Sequence, residues 1–404
     1  MVWRLAWRNL LRNPRRTGIV VAAVSVGLSG CMLSMAINYG MVVQMVEAAI
    51  ETELGHVQVH AAGWDREPEL EVRLRDGGAL AGRAIDEIDA GALWAPRVRA
   101  QGLVHSPRAS VGVAVIGVDP RKEAALSRVA AQIQEGRWIE AGERRVAIGR
   151  RLADRLRADV GDKVVISVAD LAGDLTGQAY RIAGIFSAAS SELDQSAVFL
   201  PIEGAQALLG LDRAVTELVV RLEDEGSMDR FTEALGSRVG SGVEVRTWRE
   251  LRPVLVYLLE MFDSVAWFLY AAVFIAMAFG IANVLLMAVY ERTREIGMLM
   301  AVGTSRRRVM FEVVLESVIV TTLGLALGVG LAFAGAEALS DGIDLSRWSA
   351  GLGRFGVGAR IVPVLRGADL WIPAIVALVS AVLASAWPAH RAVRALPAEA
   401  LRHV

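Results

Sequence analysis

Lysine is nearly missing from this 404-residue chain: of its 43 basic residues, only Lys122 and Lys163 are lysines. A phosphate-binding loop of the Gly-Lys-Ser/Thr type uses backbone amides to cradle the phosphates and the lysine to reach the outer ones. Neither lysine follows a glycine, so the sequence holds no recognisable ATP-binding loop. Any ATPase that drives it is expected on another polypeptide. Cysteine is limited to Cys31, which excludes a disulfide scaffold. A net charge of −1 argues against a dedicated nucleic-acid binder. Disorder is excluded by a hydrophobic fraction of 54% and a mean hydropathy of +0.42.

Charge is missing altogether from four long runs, 17–46, 264–290, 317–336 and 370–389. About 20 apolar residues in a helix cross a hydrocarbon core of roughly 30 Å. One arginine at mid-membrane would cost about 2.5–3.5 kcal/mol on insertion scales. The fold class expected is therefore an α-helical membrane protein with four transmembrane helices (one, then three), carrying a large extracytoplasmic α/β domain. Residues 1–16 hold five arginines and no acid, which places the N-terminus in the cytoplasm. The exported stretch 47–263 then carries 26 basic and 35 acidic residues, a net −9. Residues 337–369 return outside, while 291–316 (net +1) and 390–404 (net +2) are cytoplasmic. Trp371 and Trp387 bracket the last span as interfacial aromatics do.

Within 1–16, Arg4, Arg8, Arg12 and Arg15 recur on one helical face beside Trp3, Trp7, Leu10 and Leu11. The pattern predicts an interfacial amphipathic helix ending at Pro14. Leu28-Ser29-Gly30-Cys31 matches a lipoprotein signal, but 32–46 continue uncharged where a signal peptide would turn polar. The reading is an uncleaved span, 17–46, that continues to about 54.

The exported domain, 47–246, alternates short strand-like and helix-like runs. Strands are expected at 111–118, 144–148, 163–168, 179–186, 197–200, 217–222 and 243–245, with helices at 149–157 and 228–235. His56 and His60 fall on one face of a strand; with no third ligand placed, that face is read as solvated and not as a metal site. The acids Asp65, Glu67, Glu69 and Glu71 read as solvated surface too. No nucleophile–base constellation is evident, so the chain is expected to be no enzyme, with neither catalytic nor metal residues. Thr247-Trp248-Arg249-Glu250 fits a capping box. Beyond it, Leu251, Val254, Leu255, Leu258, Leu259 and Phe262 keep helical spacing into the second span. With Pro253 bending but not ending it, one helix over 248–290 would be roughly 65 Å long, about twice the membrane core. With the end of the first span, it would form an outward stalk.

The loop 291–308 reads as a short amphipathic helix, with Glu291 and Glu295 one turn apart and Gly303 as its C-terminal cap. Ile296, Leu299 and Met300 form an apolar face that suits docking into a partner's groove. In the third span (309–336), Gly324-x-x-x-Gly328 and Gly330-x-x-x-Ala334 allow close helix approach.

Together these features resemble the FtsX-like permeases of the MacB/Lol type. The matching residues are Leu5-Ala6-Trp7-Arg8-Asn9-Leu10, Glu291-Arg292-Thr293-Arg294-Glu295-Ile296-Gly297 through Ala301-Val302-Gly303, Trp387-Pro388-Ala389-His390-Arg391-Ala392 and Pro397-Ala398-Glu399-Ala400-Leu401-Arg402. Gly117-Val118-Asp119-Pro120, Gly161-Asp162 and Gly184-Ile185-Phe186 bring it nearest to the LolC/LolE lipoprotein-releasing permeases of the bacterial inner membrane. The resemblance implies an outer subdomain inserted at about 119–212, a second permease subunit (homo- or heterodimer), and two copies of a separate ABC ATPase holding ATP and Mg. It implies no cofactor on this chain. The coupling element would comprise Glu291, Arg292, Arg294, Glu295, Ile296, Gly297, Leu299 and Gly303. Lipoproteins would leave past the first two spans, with Met32, Met35, Met41, Met45, Leu258, Phe262 and Trp267 as candidate lining, toward a LolA-like periplasmic carrier. Two alternatives stay open: MacB-like efflux of toxins or peptides, and FtsX-like activation of a cell-wall hydrolase.

Overall fold

The computed structural model describes residue 12 and residues 14–64, 70–75, 77–188, 191–291, 293–344 and 360–394. From the N-terminus, α1 (Pro14–Ala49) passes into a π-helical turn (Ile50–Leu54) that stops at Gly55. Gly55 sits at φ +62°, and a Cβ there would lie 2.6 Å from the Val220 carbonyl oxygen, so only glycine fits. There follow β1 (Val57–Ala61), α2 (Gly77–Ile88), β2 (Leu93–His105), β3 (Ser110–Val118), α3 (Pro120–Leu126), β4 (Ile133–Gly136) and β5 (Arg145–Gly149). Next come α4 (Arg150–Leu156), β6 (Lys163–Ala169), β7 (Leu175–Phe186), α5 (Ser191–Ser196), β8 (Ala197–Pro201), α6 (Ile202–Leu209), β9 (Glu217–Arg221), α7 (Met228–Val239) and β10 (Val243–Thr247). The chain closes with α8 (Trp248–Leu251), α9 (Pro253–Glu291), α10 (Thr293–Ala301), α11 (Arg306–Ala338) and α12 (Gly367–Arg394).

Two compact units result. One contains Val42–Leu258 and is built on a mixed sheet in the order β10-β1-β9-β2-β3-β8-β5-β7-β4, with β6 joining β2 to β7. Strand β2 is the seam of this sheet. Leu93–Arg97 pair with β9, whereas Gly102–His105 pair with β6. The strands on the β9 side come from the two ends of the unit; those on the far side come from 110–201. Alternation drives the strands: in β6, Val164, Ile166 and Val168 are buried while Lys163, Val165 and Ala169 are exposed. Helix α3 starts where Asp119 accepts the amides of Arg121 and Lys122 at 3.0 and 3.2 Å, with Pro120 as its first residue.

Among the described residues, the other unit contains those up to Met41, those within Leu259–Asp344 and 360–394. Among the described residues, four helices are long and apolar enough to cross a membrane: Thr17–Leu54, Pro253–Glu291, Arg306–Ala338 and Gly367–Arg391. The core of this unit takes Val20, Val24, Leu28, Cys31 and Met35 from α1, recurring every three or four residues. Tyr270, Phe274, Ile281 and Leu285 of α9 meet them, with Ile319 and Val320 of α11 and Ala377 and Ala381 of α12.

Two expectations are corrected. The helix over 248–290 is not continuous: α8 ends at Leu251, Arg252 takes φ −129° and ψ 69°, and α9 begins at Pro253. Proline has no amide hydrogen for the turn behind it, and its ring drives the preceding residue out of helical geometry. The capping box of α8 is present, the Thr247 amide meeting Glu250 Oε2 at 3.4 Å. The His56/His60 face is not solvated either. Strand β1 lies between β10 and β9, and His60 is fully buried. His60 stacks on Trp64 with ring centroids 3.7 Å apart, and its Nε2 is 3.0 Å from Gln58 Oε1. His56 Nδ1 accepts the Leu222 amide at 2.9 Å. Glu71 is exposed as expected; residues 65–69 lie outside the described residues.

Candidate functional site

The C-terminal end of the first long helix and the break before α9 meet the sheet at one charged joint. Arg97 and Arg99, both on β2, point toward Glu53 in the π-helical turn. Arg97 is buried, donating Nε and Nη2 to Glu123 at 3.0 and 2.7 Å and Nη1 to the Glu53 carbonyl. Arg99 donates Nη1 and Nη2 to Glu53 Oε1 at 3.0 and 3.1 Å. Arg252, freed by the helix break, reaches the same oxygen at 3.2 Å and lies 3.8 Å from Glu192. Burial opposes the charge of Glu53, but Arg99 and Arg252 outweigh it and hold its carboxyl below the usual range. The joint borders a cleft of about 350 Å³ that Gln58, Trp64, Glu217 and Arg246 also line. Nothing in the sequence pattern marked this cluster, because its members are spread from 53 to 252.

A second cluster ties together α1, α9 and α12. Asp369, 1% exposed, opens α12 and accepts Arg366 Nε and Nη2 at 3.1 and 3.0 Å and the Tyr270 hydroxyl at 3.3 Å. The Arg366 guanidinium lies 4.0 Å over the Tyr39 ring of α1, and the Val364 amide donates to the Ala36 carbonyl at 2.9 Å. Buried ionisable groups at membrane depth are costly and mark function. Asp369 and the buried Glu316 of α11 each sit at the edge of a charge-free run, so a search for such runs passes over them.

At the other end of the bundle, the short α10 connects α9 to α11. Its end is a Schellman motif: Thr304 N–H reaches the Leu299 carbonyl at 2.9 Å and Gly303 N–H the Met300 carbonyl at 3.1 Å, with Gly303 at φ +101°. The apolar face splits in two. Ile296 packs with Val289, Val313 and Ala389, while Met298, Leu299 and Val302 are 52%, 48% and 89% exposed. Glu295 faces Arg12, whose Nη1 is 3.3 Å from Oε2. Gly297 is buried, and Glu291 and Arg294 are exposed; Arg292 lies outside the described residues, as does most of the expected N-terminal amphipathic helix. Among the described residues, no group of three His, Cys, Asp or Glu is placed to hold a metal ion.

The family model of the MacB-like periplasmic core domain matches residues 17–238, more than half of the chain, and that of the FtsX-like permease C-terminal region matches 267–397. The chain is an ABC-transporter permease of the MacB/LolC family. It is 23% identical over 420 residues to the lipoprotein-releasing system transmembrane protein LolC of Xylella fastidiosa, covering 97% of each chain. To the macrolide export ATP-binding/permease protein MacB of Escherichia coli it is 28% identical over 166 residues, 40% of this chain and 25% of that one. The periplasmic region of MacB from Actinobacillus actinomycetemcomitans superposes with a TM-score of 0.36 at 9% identity, over 52% of this chain and 97% of that region.

In the permease, the seven residues proposed to line a substrate path are not equivalent. Met32 and Met35 are buried in the bundle, Met41, Met45, Leu258 and Phe262 are half-buried, and Trp267 is 56% exposed. The small residues of α11 divide as well. Gly324 and Gly328 lie against α1, where a Cβ on Gly324 would come 2.6 Å from Val24 Cγ1 and one on Gly328 would come 3.1 Å from the Ser25 carbonyl oxygen. Ser25 Oγ donates to the Gly324 carbonyl at 2.9 Å across this contact. Gly330 and Ala334 are exposed, and a Cβ on Gly330 would meet nothing within 4 Å.

Proposed function

We propose that this permease couples ATP hydrolysis on a separate ATPase to the extraction of lipoproteins from the inner membrane toward a periplasmic carrier. The observation that carries this reading is the match to a lipoprotein-releasing transmembrane protein over 97% of both chains. The joint at Glu53 supports a mechanical route: Glu53, at the end of the first long helix, is held to β2 by Arg99, and Arg252, just before α9, is held to the same Glu53 oxygen, so a displacement of either bears on this joint. The charge distribution supports one span before the external domain, three after it and both termini cytoplasmic. Helix α10, with Met298, Leu299 and Val302 outward beside Glu291 and Arg294, suits a groove on the ATPase. Purifying the intact complex with and without nucleotide and identifying bound chains by mass spectrometry tests the reading. Acylated polypeptides should copurify, and their absence in both states would count decisively against it. Efflux of MacB type is the second reading, supported by the 28% match over 166 residues; copurification of an adaptor protein in place of a soluble carrier would favour it.

A further inference from the structure

We propose that Arg99 is a positioning residue of the coupling path, a latch that exchanges Glu53 for Glu217 when the first long helix moves. The inference rests on the reading that motion passes between the spans and the external domain. Its starting point is an incomplete set of hydrogen bonds. Arg99 gives both Nη groups to Glu53 Oε1, but its Nε has no partner and lies 4.0 Å from Glu217 Oε1, which has none either. Both atoms are buried and the Glu217 side chain is 4% exposed. That separation is about 1 Å beyond a hydrogen bond. Each buried, unmade bond is unfavourable. Arg97, two residues along the same strand, shows the contrast: Nε, Nη1 and Nη2 are all engaged. The guanidinium is a rigid fork. Swinging Nε onto Glu217 therefore carries both Nη groups away from Glu53.

Glu53 is held in a turn able to make that trade. Ile50–Leu54 is π-helical, a geometry that inserts an extra residue into a turn and recurs at functional sites. Relaxing it toward α-helix rotates and withdraws the Glu53 side chain, while Gly55 keeps the end of the turn fixed against Val220. Glu217 opens β9, which is hydrogen-bonded on both sides by β1 and β2 and stays in place. Arg252 shares Glu53 Oε1 with Arg99. One withdrawal of Glu53 thus frees the end of α1 and the break before α9 together.

The test uses the full-length permease with its ATPase, reconstituted, and follows hydrogen exchange of amides 46–56 with and without ATP and vanadate. A hydrogen bond to a charged group is worth roughly a factor of ten or more in population. Nucleotide trapping should therefore speed exchange there by about tenfold. Glu53→Gln should show the fast exchange without nucleotide. Glu217→Gln, with its second position weakened, should cut the response several-fold while ATP is still hydrolysed. Arg99→Lys keeps the charge without the fork and should lose the response too, which covers the case of a Glu217 variant that does not fold. A wild-type response in Glu217→Gln or Arg99→Lys, or wild-type protection in Glu53→Gln, overturns the latch alone. No response at 46–56 in the wild type also overturns it, and no response anywhere in 42–258 takes the transmission reading down with it.

Discussion

Removing Glu123 should expose how much of the external unit rests on a single buried ion pair. Arg97 is 2% and Glu123 0% exposed, joined by two bonds of 3.0 and 2.7 Å. In Glu123→Leu the guanidinium keeps only the Glu53 carbonyl as acceptor. Leaving one member of such a pair uncompensated costs about 3–5 kcal/mol, roughly two to four powers of ten in the opening equilibrium of β2. The double variant Arg97→Met/Glu123→Leu buries no charge and should recover most of this, because apolar replacement of both partners is often neutral. It still strands the Glu53 carbonyl, so it should remain about 1 kcal/mol below wild type. Native-state hydrogen exchange of the β2 and β3 amides in the full-length protein reads all three. A single variant costing less than about 1 kcal/mol, or a double variant no better than the single, would refute the reasoning.

Three further outcomes are expected. Gly324→Val should loosen the contact of α11 with α1 by about 1–3 kcal/mol through overpacking against Val24, while Gly330→Ala should be nearly neutral; thermal unfolding in detergent compares them. Glu295→Lys sets a lysine against Arg12 and reverses charge on α10, and should abolish stimulation of the ATPase with membrane insertion intact. Stability of the external unit should fall in two steps on acidification. Burial lowers the proton affinity of His60, outweighing nearby Glu217, so the unfolded chain takes up that proton first. The contribution is whole above about pH 6.5 and is lost below it, and the depressed Glu53 adds a second loss below about pH 4.3. His60→Phe, which keeps a ring on Trp64, should shrink the first step in a pH series of unfolding midpoints and leave the share of His56, whose proton affinity burial also lowers.

The spans were legible because a bilayer demands about 20 residues without charge, and nothing else in the chain meets that demand. Which face of each span turns inward was legible only where small residues marked it, as with Gly324 and Gly328 against Val24 and Leu28, and even there the Gly330 and Ala334 pair, read the same way, is exposed. Strands such as β3 and β6 announced themselves by apolar runs. Strand β2 did not, because Pro96, Arg97 and Arg99 interrupt its pattern, and only Glu123 and Glu53, far away in sequence, make those charges acceptable inside. His60 failed for the same reason. A polar side chain on a strand is read as outward unless its partners, here Trp64 and Gln58, are already placed. Pro253 was legible as a perturbation. Its strength was not, since Arg252 leaves the helix with an acid waiting for it.

The sheet order bears on how such a domain can diversify. All of the strands beyond β2 come from one uninterrupted stretch, 110–201, so an exchange of that cassette between relatives would leave the four strands β10, β1, β9 and β2 paired as before. The main exception is α3, which lies inside the cassette and supplies the buried counter-ion of Arg97; Glu192 of α5, 3.8 Å from Arg252, is a more exposed one. A graft that lacked an acid at position 123 would arrive with its own fold complete and still poison the host, by leaving an arginine sealed in without an anion. Recombination across this stretch is therefore constrained most sharply at Glu123, the one of these cross-cassette ion-pair partners that is fully buried.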